Sequence, residues 1–222
     1  MPNALIIGAS RGLGHEFVRQ LAGQGWKVFA TARNDAALEE LRGVGAHACK
    51  LDVARPESLA GLGWQLDGES FDLAIYVAGV FGPREGAKSA PTRQDFDLVM
   101  HTNVLGAMQA LLLVAPMVEA AKGKLVFISS DMASIADASS SYGWIYRSSK
   151  AALNMAVRSA ASDYPGATFA VLSPGWVRTD MGGENAPLEA SESVAGMLDV
   201  IAGLKPEESG AYRNYAGKTM PW

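Results

Sequence analysis

Tyr146 and Lys150 lie four positions apart in Tyr146-Arg147-Ser148-Ser149-Lys150. On a helix that spacing puts a phenol and an ammonium on one face. An isolated phenol has a pKa of about 10 and is a slow acid near neutrality. A nearby positive charge stabilises the phenolate and makes the pair a usable proton donor. A second group stands upstream, where Ser129 and Ser130 close the apolar run Leu125-Val126-Phe127-Ile128. In a parallel sheet that position puts a hydroxyl at the carboxyl edge of a strand, where such sheets bind ligands. Tyrosine, lysine and serine then meet in one crevice, provided one stretch is a helix and the other a strand of the same sheet. A Tyr-x-x-x-Lys spacing alone occurs by chance in many chains, so the remaining elements must decide.

Those elements alternate. Ala4-Leu5-Ile6-Ile7 is a short continuous apolar run, the pattern of a parallel strand covered on both faces. Gly8-Ala9-Ser10-Arg11-Gly12-Leu13-Gly14 follows it, and a helical pattern then carries Phe17, Val18 and Leu21. Strand, glycine turn and helix in that order suit a dinucleotide pyrophosphate, whose charge meets free N–H groups at a helix start. Strand patterns recur at Lys27–Ala32, Ala46–Leu51, Asp72–Val77, Leu125–Ser130 and Thr168–Leu172, and a last edge strand and tail are expected over Ala211–Trp222. Between them lie helical patterns: one through Leu38 and Leu41, capped by Asn34 or Asp35, and a short one opened by Pro56. A long one spans Thr92–Lys122, and two more cover Tyr142–Ala161 and Ser191–Leu204. The alternation predicts one doubly wound α/β domain over residues 1–222, its seven-stranded sheet mostly parallel and flanked by helices on both faces.

Candidate ligand groups fall at the ends of these strands. No acid lies between Val28 and Arg33. A ribose 2′-hydroxyl is usually met by an acid here and a 2′-phosphate by arginine, so Arg33, helped by Arg11 or Ser10, favours NADP over NAD. Ala78-Gly79 offers bare backbone to a nucleotide ring. Asn103, inside an apolar helix, must either bond to backbone or organise polar groups near the active centre. The segment Ser173–Gly183 leaves the sixth strand with two glycines at its end, a candidate lid with Trp176 and Met181 as apolar wall. Gly8-Ala9-Ser10-Arg11-Gly12 also matches the nucleophile elbow of the α/β-hydrolases, but only seven residues precede it and none of His15, His47 and His101 stands at a late strand end.

Composition narrows the partners. A net charge of −4 over 222 residues, with no basic run interleaved with aromatics, argues against nucleic acid. The lone Cys49 reads as a buried thiol, and a reducing cytoplasm fits it. The stretch between His101 and Glu119 lacks charged residues but contains Asn103, Gln109 and Pro116, and reads as a buried helix rather than a membrane span. No metal site is expected.

Gly8 to Gly14, Asp52, Ala78-Gly79, Asn103, Ser130, Tyr146/Lys150 and Pro174-Gly175 fall in an order and spacing that resemble the short-chain dehydrogenases/reductases over nearly the whole chain. Tyr146–Met155 and Pro174–Gly183 look like the C-factor and sniffer-type carbonyl reductase branch. The resemblance implies a Rossmann fold, an NADP(H) cofactor, a small carbonyl or alcohol substrate and the tetrad Asn103, Ser130, Tyr146 and Lys150, with Ser130 rather than Ser129 as the catalytic serine. It implies cofactor contacts at Gly8, Ser10, Arg11, Gly12, Leu13, Gly14, Arg33, Asp52, Val53, Ala78, Gly79, Tyr146, Lys150, Pro174, Gly175, Val177 and Thr179. A homodimer or homotetramer is the family's usual state, although related reductases also work as monomers. The chain departs from the pattern in two places: Ile7 stands where threonine is common, and Tyr76-Val77 replaces Asn-Asn. Two functions fit such a chain, an NADP-dependent carbonyl reductase or a dinucleotide-binding regulatory protein with little turnover. The intact tetrad favours the enzyme.

Overall fold

The computed structural model describes residues 1–222. Its strands are β1 (Asn3–Ile7), β2 (Lys27–Ala32), β3 (His47–Lys50), β4 (Leu73–Tyr76), β5 (Lys124–Ile128), β6 (Thr168–Ser173) and β7 (Ala211–Asn214). They form one sheet in the order β3-β2-β1-β4-β5-β6-β7, and every neighbouring pair is parallel. The helices are α1 (Gly12–Gly23), α2 (Asp35–Gly43), α3 (Pro56–Gln65), α4 (Arg93–Met100), α5 (Gly106–Ala120), α6 (Trp144–Ala160) and α7 (Ala190–Gly203). This is a Rossmann-type sheet wound in both directions from β1. The order reverses between β1 and β4, so a crevice opens beyond the carboxyl ends of those two strands.

Side chains along each strand alternate between two cores. Leu5, Ile7, Tyr76 and Phe127 join the core formed with α3, α5 and α6. Ala4, Ile6, Ile75 and Val126 join the one beneath α1, α2 and α7. Both faces are covered, which is why the strands read as continuous apolar runs. Each fully buried Leu, Ile or Phe contributes about 1.5–3 kcal/mol relative to exposure, and this burial holds the strand ends in place.

Helix starts are set locally. Asn34 caps α2 by accepting from the Ala37 N–H at 2.8 Å. Thr92 caps α4 by accepting from Asp95 N–H at 3.1 Å. Between α4 and α5 the chain stays helical but widens into a π turn over His101–Leu105. Such turns insert one residue into the helical ladder and recur at functional sites. Here the turn contains Asn103.

The structure sharpens the expected sheet and tail and revises two helices. The sheet is wholly parallel. The last strand ends at Asn214, after which the tail folds back antiparallel, with Arg213 bridged to Thr219. The long helix is buried on one face only: α5 turns Ala107, Ala110, Val114 and Ala115 to the sheet, whereas Leu98, Leu105, Met108 and Leu112 are exposed. Small residues face the sheet because they let the helix lie close to it. Helix α6 begins at Trp144, two residues later than its pattern suggests, where Gly143 takes a left-handed conformation.

Candidate active site

All seven strands point the same way, so the ends that carry Gly8, Arg33, Asp52, Ala78, Ser130 and Pro174 share one edge of the sheet. The glycine turn joins β1 to α1. A Cβ on Gly8 would lie 2.7 Å from the Ala78 amide nitrogen, so only glycine lets the two strand ends touch. Gly8 N–H donates to the Thr31 hydroxyl at 3.0 Å. This buried threonine on β2 supplies the hydroxyl beside the turn, while Ile7 is core. The start of α1 has neither a side-chain cap nor an acidic residue in its first turn. Its free N–H groups are therefore suited to an anion.

The other sequence-derived contacts surround this turn. A Cβ on Gly12 would reach the Thr179 methyl at 3.5 Å, which puts the segment after β6 against the turn. Arg11 reaches across to Asp180 at 2.8 Å, an exposed ion pair. Arg33 stands exposed just beyond β2, and Ser10 and Leu13 are half-buried on the turn. Val53 is buried, and its carbonyl would lie 2.6 Å from a Cβ on Gly106. Asp52 turns back on its own loop, accepting from Ala54 N–H at 3.1 Å. Val177 pairs with Leu188, Pro174 accepts from the Ser193 hydroxyl at 2.7 Å, and Gly175 adopts a positive φ of 76° beside Tyr215. The candidate lid is thus folded onto its neighbours. Trp176 closes it by donating to Gly182 O at 2.8 Å, and Arg84 reaches Met181 O at 3.2 Å.

The candidate reactive groups gather beside β4 and β5. Helix α6 buries the stripe Tyr146, Ser149, Lys150, Leu153, Asn154 and Val157, whose three- and four-residue spacing is one helix face. Lys150 Nζ donates to the Ile128 carbonyl at 2.8 Å and lies 5.8 Å from the Tyr146 ring centre. Burial depresses the Lys150 ammonium to about 8. Burial also pushes the Tyr146 phenol up to about 12, with the Ser130 side chain opposing the rise and the charge of Asp131 adding to it. In this structure desolvation outweighs any help the phenolate receives. The two serines differ in direction: the Ser129 hydroxyl donates inward to Asn154 Oδ1 at 2.6 Å, while Ser130 faces Tyr146.

Asn103 is fully buried, and its side chain is fully committed. Its Oδ1 accepts from Val80 N–H at 2.8 Å, and its Nδ2 donates to Val80 O and to Ser149 Oγ, each at 2.9 Å. It therefore ties the backbone after Gly79 to α6. Tyr76 fills the place of the family's asparagine differently. Its ring stacks on Phe127 at 5.6 Å, and its hydroxyl donates to Thr102 O at 3.1 Å, inside the π turn. Phe81 lies flat on Tyr146, with centres 4.5 Å apart and planes 18° from parallel.

Thr31, Ser149, Tyr76 and Phe81 were not singled out for these contacts from the sequence. Thr31 had a usable signal, a hydroxyl within an otherwise apolar strand, and Ser149 sits inside the Tyr-Lys stretch itself. Phe81 had none, because it arrives from an irregular loop.

A glycine-turn crevice with tyrosine, lysine, serine and asparagine at the adjoining strand ends defines a family, and residues 2–189 match the model of the short chain dehydrogenases. The chain belongs to that family. It is 44% identical over 123 residues to the C-signal protein of Myxococcus xanthus, an alignment covering 54% of this chain and 74% of that one. Among solved structures it is similar to a short-chain dehydrogenase/reductase from Burkholderia multivorans with bound NADP, with 34% identity, a TM-score of 0.90 and 100% and 99% of the two chains covered. It is similar also to the carbonyl reductase Sniffer of D. melanogaster, with 27% identity, a TM-score of 0.92 and both chains fully covered. These neighbours support the C-factor and sniffer-type branch.

Proposed function

We propose that this oxidoreductase interconverts a carbonyl and an alcohol with NADP(H), Tyr146 serving as the acid/base. One observation carries it: Tyr146, Ser130 and Lys150 converge at the strand ends beside a glycine turn whose helix start is uncapped. The Gly8–Ala78 approach and that uncapped helix fit a dinucleotide. The Gly8–Gly14 turn, Asp52, Val53, Ala78, Gly79, Lys150 and the Pro174–Thr179 segment would hold it, and Arg33 and Arg11 would meet a 2′-phosphate, Arg11 exchanging its partner Asp180. When bound, the nicotinamide donates or accepts hydride.

The side chains handle the proton. Ser130 holds the substrate oxygen by its hydroxyl, and Tyr146 gives that oxygen its proton. The tyrosinate left behind is costly in a buried site. Lys150 offsets that cost as the buried cation nearest the ring, and the Ile128 carbonyl keeps its ammonium oriented. Asn103 has no free donor for a water relay through its side chain. It contributes instead by fixing α6 against the backbone at Val80. Phe81 walls the phenol from solvent. The family's fold suits a small-molecule substrate.

The test is Tyr146→Phe, assayed by NADPH oxidation against aldehydes, ketones and quinones. Cofactor affinity, followed by tryptophan fluorescence, stays unchanged and turnover falls roughly 100-fold or more, the size expected for a lost acid catalyst. A variant within about threefold of the parent would overturn the assignment.

A further inference from the structure

The catalytic serine is held from behind by an element far away in sequence. Tyr212, on β7, is 2% exposed. Its hydroxyl donates to the Ser130 carbonyl at 2.5 Å. The same carbonyl accepts from Ala133 N–H at 3.0 Å, and the Ser130 hydroxyl accepts from Met132 N–H at 3.1 Å. These three bonds fix the peptide after Ser130, and with it the direction in which its side chain points. On the other side Ser129 is pinned by its 2.6 Å bond to Asn154 Oδ1.

Tyr212 is itself braced by the chain's last residues. Met220 N–H donates to Tyr212 O at 2.9 Å and folds the tail back along β7. The Trp222 ring then packs against the Tyr212 ring, with centres 5.3 Å apart and planes tilted by 39°. The Trp222 carbonyl accepts from Ala136 N–H at 3.0 Å, in the loop that follows Ser130. The tail thus touches that loop once directly and once through the Tyr212 hydroxyl.

We infer that Tyr212 is a positioning residue for Ser130, braced by Trp222, an inference that rests on Ser130 receiving the substrate oxygen as proposed above. A phenylalanine would fill the same space and keep the Trp222 contact, so the hydroxyl alone carries the effect. Losing one neutral hydrogen bond that orients Ser130 should cost about threefold to tenfold in turnover.

Tyr212→Phe, Ser130→Ala and the double variant form the test, with Trp222→Ala beside them. The expected result is a threefold to tenfold fall in kcat for Tyr212→Phe, with unchanged NADPH affinity and no further fall when Ser130 is already alanine. Equal losses in the presence and absence of the serine hydroxyl would show that Tyr212 does not act through it. Amide hydrogen exchange gives a readout independent of turnover: the Met132 amide should exchange faster in Tyr212→Phe and in Trp222→Ala, and the Ala136 amide faster in Trp222→Ala. Unchanged exchange overturns the inference even if the protein reduces no carbonyl, an outcome that would refute the proposed function separately. Should Tyr212→Phe fail to fold, Trp222→Ala carries the same exchange measurement.

Discussion

Lys150 should make the stability of this protein depend on pH in a way that a neutral side chain abolishes. Burial holds its ammonium at about 8 in the folded protein, whereas an exposed lysine in the unfolded chain titrates near 10.4. Below pH 8 both states are protonated, and the folded state bears the full cost of a buried charge. Between the two values the unfolded chain holds a proton that the folded protein has released. The sign follows: folding stability rises with pH across this window, by about 1.4 kcal/mol per unit at most. From pH 7 to pH 9.5 the gain amounts to about 2 kcal/mol. Lys150→Met removes it. Loss of the donor to Ile128 O shifts the variant's stability by an amount independent of pH, so the difference between the curves is the clean quantity. Urea denaturation of both proteins at intervals from pH 7 to 9.5 measures it. Stability of the parent relative to the variant should climb by about 2 kcal/mol, and a flat difference would show that Lys150 is not strongly desolvated.

Asn103→Ala leaves the Val80 N–H and carbonyl without their partner and removes the donor to the Ser149 hydroxyl, which keeps its own bond to the Tyr146 carbonyl. It should destabilise the fold by about 2–4 kcal/mol in urea denaturation, and a loss below about 1 kcal/mol would mean that these groups find other partners. Arg33→Asp should reverse the cofactor preference toward NADH in parallel fluorescence titrations, because an acid accepts from a ribose hydroxyl and repels a phosphate. Unchanged selectivity would leave Arg11 as the arginine that meets the phosphate.

Much of the architecture was legible because local pattern and tertiary role coincide. Continuous apolar runs such as Leu125–Ile128 can be satisfied only where both faces are covered, so the alternation of strands and helices already implied a doubly wound sheet. Gly8 and Tyr146/Lys150 were legible for a similar reason: the turn needs a residue without a Cβ, and a four-residue spacing selects one helix face whatever surrounds it. The lid was less legible, since Trp176 and Met181 are tied down by Gly182 and Arg84, contacts that no periodicity announces.

By itself, then, the sequence determined the order of elements, the crevice edge and the chemical types gathered there, because these depend on spacing within a few residues. Tertiary structure alone decided what those groups experience. Whether the Tyr146 phenol is raised or lowered depends on how deeply α6 is buried and on where the Lys150 ammonium points, and desolvation by neighbours distant in sequence sets both. The same holds for Asn103, whose amide is spent on Val80 and Ser149, and for Ser130, whose carbonyl is met by a tyrosine 82 residues away. A hydrogen bond joins atoms that the folded chain brings within 3 Å, and separation along the chain carries no record of it.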